Sequence, residues 1–297
     1  MSLPPLAPLP PQTPMSAYDS AIAAPEIPAA PKQTPGLMDV VILLGLLLGA
    51  GVIVLVLGGV AVATWLHLHG IAKASLTMSQ KLAFGIPLQV FWYVVTAAAA
   101  IPVFRDRWQK TFSDGIHWNL SAAKARIWLL IPLGILLSLC VAIASIKIKV
   151  PQDAPILGLF KNALLAWGAT VYGIFIAPAV EEIFFRGFLL PSIGCYTGSI
   201  IAATITSACF ALMHAEQTGF AWAAVALLFC VSLALCAVRL RLRSVAASTL
   251  VHLCYNAIIF VSLIQATGGY RHFDQLPKSH FGDYTLLYVR CHTTLSI

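Results

Sequence analysis

The chain has 297 residues, of which 59% are hydrophobic and only 10% are charged, and its mean hydropathy is +0.87. A soluble domain carries about 25% charged residues, so this composition excludes an ordinary soluble protein and predicts an all-α, polytopic transmembrane bundle. The formal net charge is +7. Its basic residues are scattered between apolar stretches, which argues against nucleic acid as a partner.

Three regions follow one another along the chain. Residues 1–36 hold ten of the eighteen prolines, a composition that does not pack, so we expect a flexible Pro/Ala-rich N-terminal tail. Residues 37–270 contain no polar linker and predict one integrated transmembrane domain. Residues 271–297 are mixed and polar, and this C-terminal tail is assigned no function.

The apolar region divides into about seven predicted spans, within a range of six to eight. In the first span, Gly45 and Gly49 form a small-residue face that predicts close helix packing. The fourth exceeds the roughly 20 residues that a crossing needs, and Pro178 is its expected kink. Basic connections at 105–126 and 239–243 both lie on the cytoplasmic side if the N-terminus does. The predicted spans are 40–66, 82–103, 127–146, 158–190, 199–214, 219–238 and 245–266.

Two adjacent carboxylates and a guanidinium interrupt the fourth span. A charge at mid-membrane depth costs roughly 2.5–3.5 kcal/mol, so ionisable groups there indicate function. Glu182 and Arg186 are four residues apart and can neutralise each other on one helix face. Glu181 lies about 100° around the helix from Glu182 and needs a partner from another segment.

Two further spans supply candidate partners for Glu181. Phe210 and His214 are four residues apart, so the phenyl ring can pack beneath the imidazole, and His252 and Asn256 likewise share one helix face. A carboxylate and an imidazole that hold one water can act as a general base, while a second imidazole and an amide can stabilise an oxyanion. Each pair alone could be structural, but their combination in spans nearly free of other ionisable groups indicates a hydrolytic site.

The motifs Glu-Glu-Ile-Phe-Phe-Arg-Gly at 181–187, Phe210-x-x-x-His214 and His252-x-x-x-Asn256 together resemble the three-motif signature of the CPBP family. These are the CaaX-protease and bacteriocin-processing, or Abi, membrane proteins, typified by the type II CaaX prenyl endopeptidase. The resemblance covers about 160–266 and implies a glutamic intramembrane endopeptidase that needs no metal and no cofactor.

The resemblance also implies roles, a substrate class and a location. The substrate would be a hydrophobic or lipidated peptide, such as a prenylated one, cleaved near the membrane surface. The protein would lie in a bacterial cytoplasmic membrane, with membrane lipid as a partner. The implied roles are water activation by Glu181 and His214, oxyanion stabilisation by His252 and Asn256, and support from Glu182, Arg186 and Phe210.

Three alternatives stand beside this interpretation. A zinc metalloprotease is disfavoured, because the chain contains no His-Glu-x-x-His helix and none of its seven cysteines forms a Cys-x-x-Cys pair. A transporter would need inverted repeats, and the first 150 residues hold no counterpart of the acidic segment. A non-catalytic immunity or scaffold protein that keeps the same residues stays open.

Overall fold

The computed structural model describes residues 35–71, 78–148, 159–160 and 162–271, apart from the side chains of 78–83 and 147. Almost all of the two tails, 1–36 and 271–297, lies outside the described residues. The flexible N-terminal tail and the polar C-terminal tail therefore stay predictions.

All regular structure in the described residues is helical. The helices are α1 (Leu37–Leu68), α2 (Met78–Trp108), α3 (Phe112–Gly115), α4 (Leu120–Ala125), α5 (Ile127–Ala144), α6 (Ala163–Thr197), α7 (Ser199–Met213), α8 (Trp222–Leu242) and α9 (Val245–Ala266), with a 3-10 turn at Ser145–Lys147. Helices α1, α2, α5, α6, α8 and α9 are long and apolar enough to cross a membrane, and α7 is a shorter apolar helix. The predicted all-α bundle of six to eight membrane helices is confirmed.

Tight turns set the boundaries of the helices that matter for the site. Gly198 separates α6 from α7 with a φ of 78°, a conformation that glycine adopts without steric cost. Arg243 turns the chain between α8 and α9 with a φ of 47°, and the Ser244 hydroxyl then caps α9 by accepting from the Ala247 N–H. Short turns of this kind bring α6, α7, α8 and α9 together as neighbours.

Helix α6 is not a regular α-helix throughout. Two wide turns, Tyr172–Ile176 and Ile183–Leu189, are π-helical and flank the regular turn Ala177–Glu182. Each wide turn is followed closely by a proline, Pro178 or Pro191. Proline crowds the carbonyl four residues before it, and widening the turn is one way to relieve that crowding. At Pro178, the expected kink, the helix is thus widened but continuous.

Glycines decide how closely two pairs of helices approach. A Cβ on Gly134 of α5 would lie 2.6 Å from both Cys254 Cβ and the carbonyl oxygen of Val251, so α5 packs directly against the backbone of α9. The small-residue prediction for α1 was wrong in its positions. No described atom lies within 4 Å of a Cβ added at Gly45 or Gly49.

The glycines of α1 that do meet α2 are others. A Cβ on Gly51 would lie 3.0 Å from Trp92, and one on Gly58 would lie 2.3 Å from Leu88. An interval of four residues does indicate a small face, but it does not say which face of the helix meets a neighbour.

The two basic connections lie at the same end of the bundle. The Val245 N–H donates to the His117 carbonyl at 3.0 Å, and the Ser244 hydroxyl donates to the Asn119 carbonyl at 2.6 Å. Their juxtaposition agrees with the prediction that both occupy one side of the membrane. Arg239 does not belong to this connection as predicted. It lies inside α8, where it is only 6% exposed.

Candidate active site

The two adjacent carboxylates of α6 occupy different environments. Glu182 is fully buried, with 0% exposure, whereas the Glu181 side chain keeps 19%. The regular turn Ala177–Glu182 separates the two side chains around the helix axis, as the sequence predicts. Glu182 therefore belongs to the packed interior of the bundle, while Glu181 stays open to a solvent molecule or a substrate.

Glu182 forms the predicted ion pair with Arg186. The Arg186 Nη1 donates to Glu182 Oε1 at 2.8 Å, and both side chains are fully buried. The Arg186 Nη2 also donates to the Ser232 hydroxyl at 2.7 Å and to the Ser232 carbonyl at 3.1 Å. A buried pair of this kind is stable only when further hydrogen bonds satisfy the remaining groups, and Ser232 of α8 supplies two.

Glu181 finds its partners on two other helices. Its Oε1 lies 3.8 Å from Nε2 of His214, which follows α7, and its Oε2 lies 3.8 Å from Nε2 of His252 in α9. Neither distance is a hydrogen bond. Two atoms this far apart can, however, both lie about 2.8 Å from one water oxygen placed beside them.

Hydrogen bonds at the other ring nitrogen set the tautomer of His214. Its Nδ1 lies 2.9 Å from the Phe210 carbonyl oxygen. A carbonyl oxygen only accepts, so Nδ1 carries the proton and neutral His214 presents the lone pair of Nε2 toward Glu181. In this state Nε2 can accept a proton from a water molecule.

In His252 too, a hydrogen bond at Nδ1 sets the role of that nitrogen, but the acceptor is a carboxylate. Its Nδ1 lies 3.1 Å from Glu182 Oε1, and a carboxylate paired with Arg186 accepts, so Nδ1 is the donor. Nε2 carries a second proton only when the ring is an imidazolium. His252 is 3% exposed and faces both carboxylates, with Nδ1 at Glu182 and Nε2 at Glu181.

Phe210 packs against the polar groups of the site. Its ring lies 4.7 Å from the His214 ring and 5.9 Å from the His252 ring, between centroids. The guanidinium carbon of Arg186 lies 4.9 Å from its centroid, within the range of a cation–π contact. The predicted packing of Phe210 against the His214 imidazole is confirmed.

Asn256 has a partner that the sequence does not suggest. Its Nδ2 donates to the Gly173 carbonyl at 2.7 Å. In the first wide turn the Ala177 N–H bonds to the Tyr172 carbonyl, five residues back, and the residue five positions after Gly173 is Pro178, which has no N–H. Asn256 thus satisfies a carbonyl that the helix itself leaves without a donor, and its second N–H remains for other use.

Two residues of α8 at this site, Ser232 and Arg239, were not expected from the sequence. They are seven positions apart and so share one helix face, which is a signal in the sequence. A serine in an apolar span is ordinary, however, and an arginine at a span's end is normally a topology signal. Their partners lie on α6 and only the packing of α6 against α8 identifies them.

The carboxylates and imidazoles of the site are also groups that can bind metal ions. Within the described ranges, no group of three or more His, Cys, Asp or Glu side chains is placed to bind one. The chemistry that the site offers directly is acid–base chemistry, by one accessible carboxylate between two imidazoles.

One segment of the chain matches the model of a known protein family. Residues 163–258, about a third of the chain, match the family model described as "Type II CAAX prenyl endopeptidase Rce1-like". Neither the curated proteins nor the solved structures gave a match. The matched segment begins with α6 and contains all three motifs. Residues 163–258 are therefore similar to the Rce1-like family, in agreement with the resemblance to CaaX proteases that the three motifs carry.

Proposed function

We propose that this integral membrane protein is a CaaX-type endopeptidase that hydrolyses a peptide bond at Glu181. The observation that carries the proposal is the position of the Glu181 carboxylate, 3.8 Å from Nε2 of both His214 and His252, in a bundle that contains an Rce1-like domain. The family supports an intramembrane peptidase, and the geometry supports these residues as the ones that act.

In the proposed reaction one water molecule lies between Glu181 and His214. The pair takes a proton from the water as its oxygen attacks the scissile carbonyl carbon, an effect typically worth about 10²–10⁴ in rate. The carbonyl oxygen becomes an oxyanion. When the tetrahedral intermediate collapses, the C–N bond breaks and the abstracted proton passes to the leaving amine.

The proposed donors to the oxyanion are the second N–H of Asn256 and, when its ring carries both protons, Nε2 of His252. Preorganised donors are effective because they need no reorientation during the reaction, and removing one costs roughly 10²–10³ in kcat. Glu182 holds His252 by its Nδ1, and the Gly173 carbonyl holds Asn256 by one of its two N–H groups. Both donors therefore have fixed positions before a substrate binds.

The proposed substrate is a hydrophobic or lipidated peptide that reaches the site from the surrounding lipid. This proposal is supported by the family description, which names a CAAX prenyl endopeptidase, and by the position of Glu181 within the apolar helix α6. The proposed location is a bacterial cytoplasmic membrane.

The test is cleavage of a fluorogenic CaaX peptide, with and without a prenyl group, by the purified full-length protein in detergent. We expect Glu181→Gln to abolish cleavage without changing the thermal unfolding temperature. The matched control is Glu216→Gln, since this exposed carboxylate lies two residues beyond His214. Wild-type cleavage by Glu181→Gln would refute the proposed base, and loss of activity with a chelator would indicate a metal mechanism instead.

A further inference from the structure

The second wide turn of α6 leaves the carbonyl of Arg186 without a backbone donor. In this turn the Leu190 N–H bonds to the Phe185 carbonyl, five residues back. If the same five-residue spacing continued, the Arg186 carbonyl would accept from the N–H of residue 191. Residue 191 is a proline, however, and has no N–H. An unsatisfied carbonyl in the buried interior costs free energy comparable to a lost hydrogen bond, so this oxygen needs a donor from elsewhere.

Arg239 of α8 supplies that donor. Its Nε–H donates to the Arg186 carbonyl oxygen at 3.2 Å, and the whole residue is only 6% exposed. The arrangement repeats that of the first wide turn, where Asn256 donates to the Gly173 carbonyl. Each proline of α6 thus leaves one carbonyl free, and a side chain from a neighbouring helix binds each.

We propose that Arg239 is a positioning residue of the active site. Its Nε–H replaces the backbone N–H that Pro191 lacks, and it thereby holds the wide turn Ile183–Leu189 that carries Arg186. From Arg186 a chain of hydrogen bonds continues to Glu182 and on to His252. This inference rests on the proposed function, because the position of His252 matters for turnover only if His252 binds the oxyanion.

Two properties of Arg239 could serve the site, its Nε–H and its positive charge, which interacts with Glu182. Substitutions separate them. In Arg239→Gln the amide nitrogen takes the place of Nε but the charge is lost. In Arg239→Lys the charge remains but a methylene group replaces Nε, and in Arg239→Met both are lost.

The experiment compares kcat and KM for these three variants of the full-length protein, using the prenylated CaaX peptide. We expect Arg239→Gln to retain kcat within about threefold, and Arg239→Lys and Arg239→Met to lose about 10-fold to 100-fold, because small displacements of catalytic groups have effects of this size. KM should change less than kcat. Arg241→Met is the control, since Arg241 lies on the same helix and is exposed.

A second readout does not depend on activity. Hydrogen–deuterium exchange of backbone amides in peptides covering 183–197 should speed up several-fold in Arg239→Met and stay at the wild-type rate in Arg239→Gln. The double variant Pro191→Ala/Arg239→Met should exchange more slowly than Arg239→Met alone, because alanine restores an N–H at position 191.

The outcomes separate the two proposals. Wild-type kcat in Arg239→Met, or activity kept by Arg239→Lys and lost by Arg239→Gln, would overturn the positioning role of Nε–H. Unchanged exchange in Arg239→Met would overturn it as well. A wild-type protein that cleaves no CaaX peptide would instead overturn the proposed function, while the exchange rates would still decide what Arg239 does for the wide turn.

Discussion

Glu182 and Arg186 are two opposite charges with no solvent around either of them. Glu182→Gln would leave the Arg186 guanidinium buried and unpaired, and breaking one side of a buried pair costs about 3–5 kcal/mol. We therefore expect Glu182→Gln to lower the thermal unfolding temperature of the detergent-extracted protein, in contrast to Glu181→Gln. The double variant Glu182→Gln/Arg186→Met should recover part of the lost stability, and equal stability of the single variant and wild type would contradict this account.

His214 and Asn256 should respond differently to truncation. We expect His214→Ala to lose cleavage as completely as Glu181→Gln, because the proposed mechanism needs both groups to activate one water. Asn256→Ala should retain residual activity, about 10²–10³-fold below wild type, since His252 remains as an oxyanion donor. Asn256→Ala should also destabilise the protein by leaving the Gly173 carbonyl unsatisfied. Initial rates and thermal unfolding distinguish these effects, and indistinguishable behaviour of the two variants would argue against separate roles.

The sequence predicted the members of this residue-scale arrangement except Ser232, Arg239 and Gly173. The ion pair of Glu182 and Arg186 follows from helical spacing alone, because residues four apart face each other within one helix. The partner of Asn256 could not be predicted, since Gly173 lies 83 residues away and its carbonyl is free only because the turn around it is wide.

Helix α5 acts on the site through its contact with α9. Gly134 permits that contact, since a Cβ there would overlap the α9 backbone near Val251, one residue before His252. Gly134→Ala should destabilise the bundle by about 1–3 kcal/mol through overpacking and should reduce cleavage by displacing His252. Thermal unfolding and kcat are the measurements.

The control for this prediction is Gly168→Ala on α6, where no described atom lies within 4 Å of an added Cβ. A Gly→Ala change in an unobstructed helix stabilises by about 0.4–1 kcal/mol. Equal effects of the two substitutions would show that the α5–α9 contact tolerates a methyl group and that our packing argument is wrong.

Among the helices, hydropathy predicts some boundaries well and others poorly. The spans predicted at 127–146 and 245–266 agree closely with Ile127–Ala144 and Val245–Ala266. The fourth span, predicted to end at 190, runs on to Thr197, because widening lets α6 pass Pro178 and Pro191. Proline indicates a perturbed helix, but neighbouring side chains decide whether the perturbation is a break or a wide turn.

At the scale of the whole molecule, His117 connects the segment before α4 to the start of α9. Its carbonyl binds the Val245 N–H, and its φ of 59° is left-handed. Partial burial, followed by the positive charges of Arg239, Lys110 and Arg243, lowers the pKa of His117 below the ordinary 6.5. The folded protein therefore holds the neutral ring more readily than the unfolded chain does.

The lowered pKa of His117 makes the stability of the folded protein depend on pH. Because the unfolded chain binds the proton more tightly, stability is complete above about pH 6.5 and decreases as the pH falls below that value. His117→Asn keeps a residue that tolerates positive φ and removes the titration. The thermal unfolding temperature of wild type should fall below that of His117→Asn between about pH 6.5 and 5, with equal values at pH 8. His67→Asn, at the end of α1, is the control, and parallel pH profiles of wild type and His117→Asn would contradict the prediction.

Sequence by itself determined that the protein is a membrane bundle, where most of its spans lie and which motifs resemble those of the CaaX proteases. These properties depend on composition and on spacings within one helix, and both are local. Only the tertiary structure decided that Glu181 lies between two imidazoles, that Arg239 is buried and that side chains of α8 and α9 donate to carbonyls of the two wide turns. A carbonyl freed by a proline can be satisfied by any donor that packing brings to it, and that choice is made between helices, not within them.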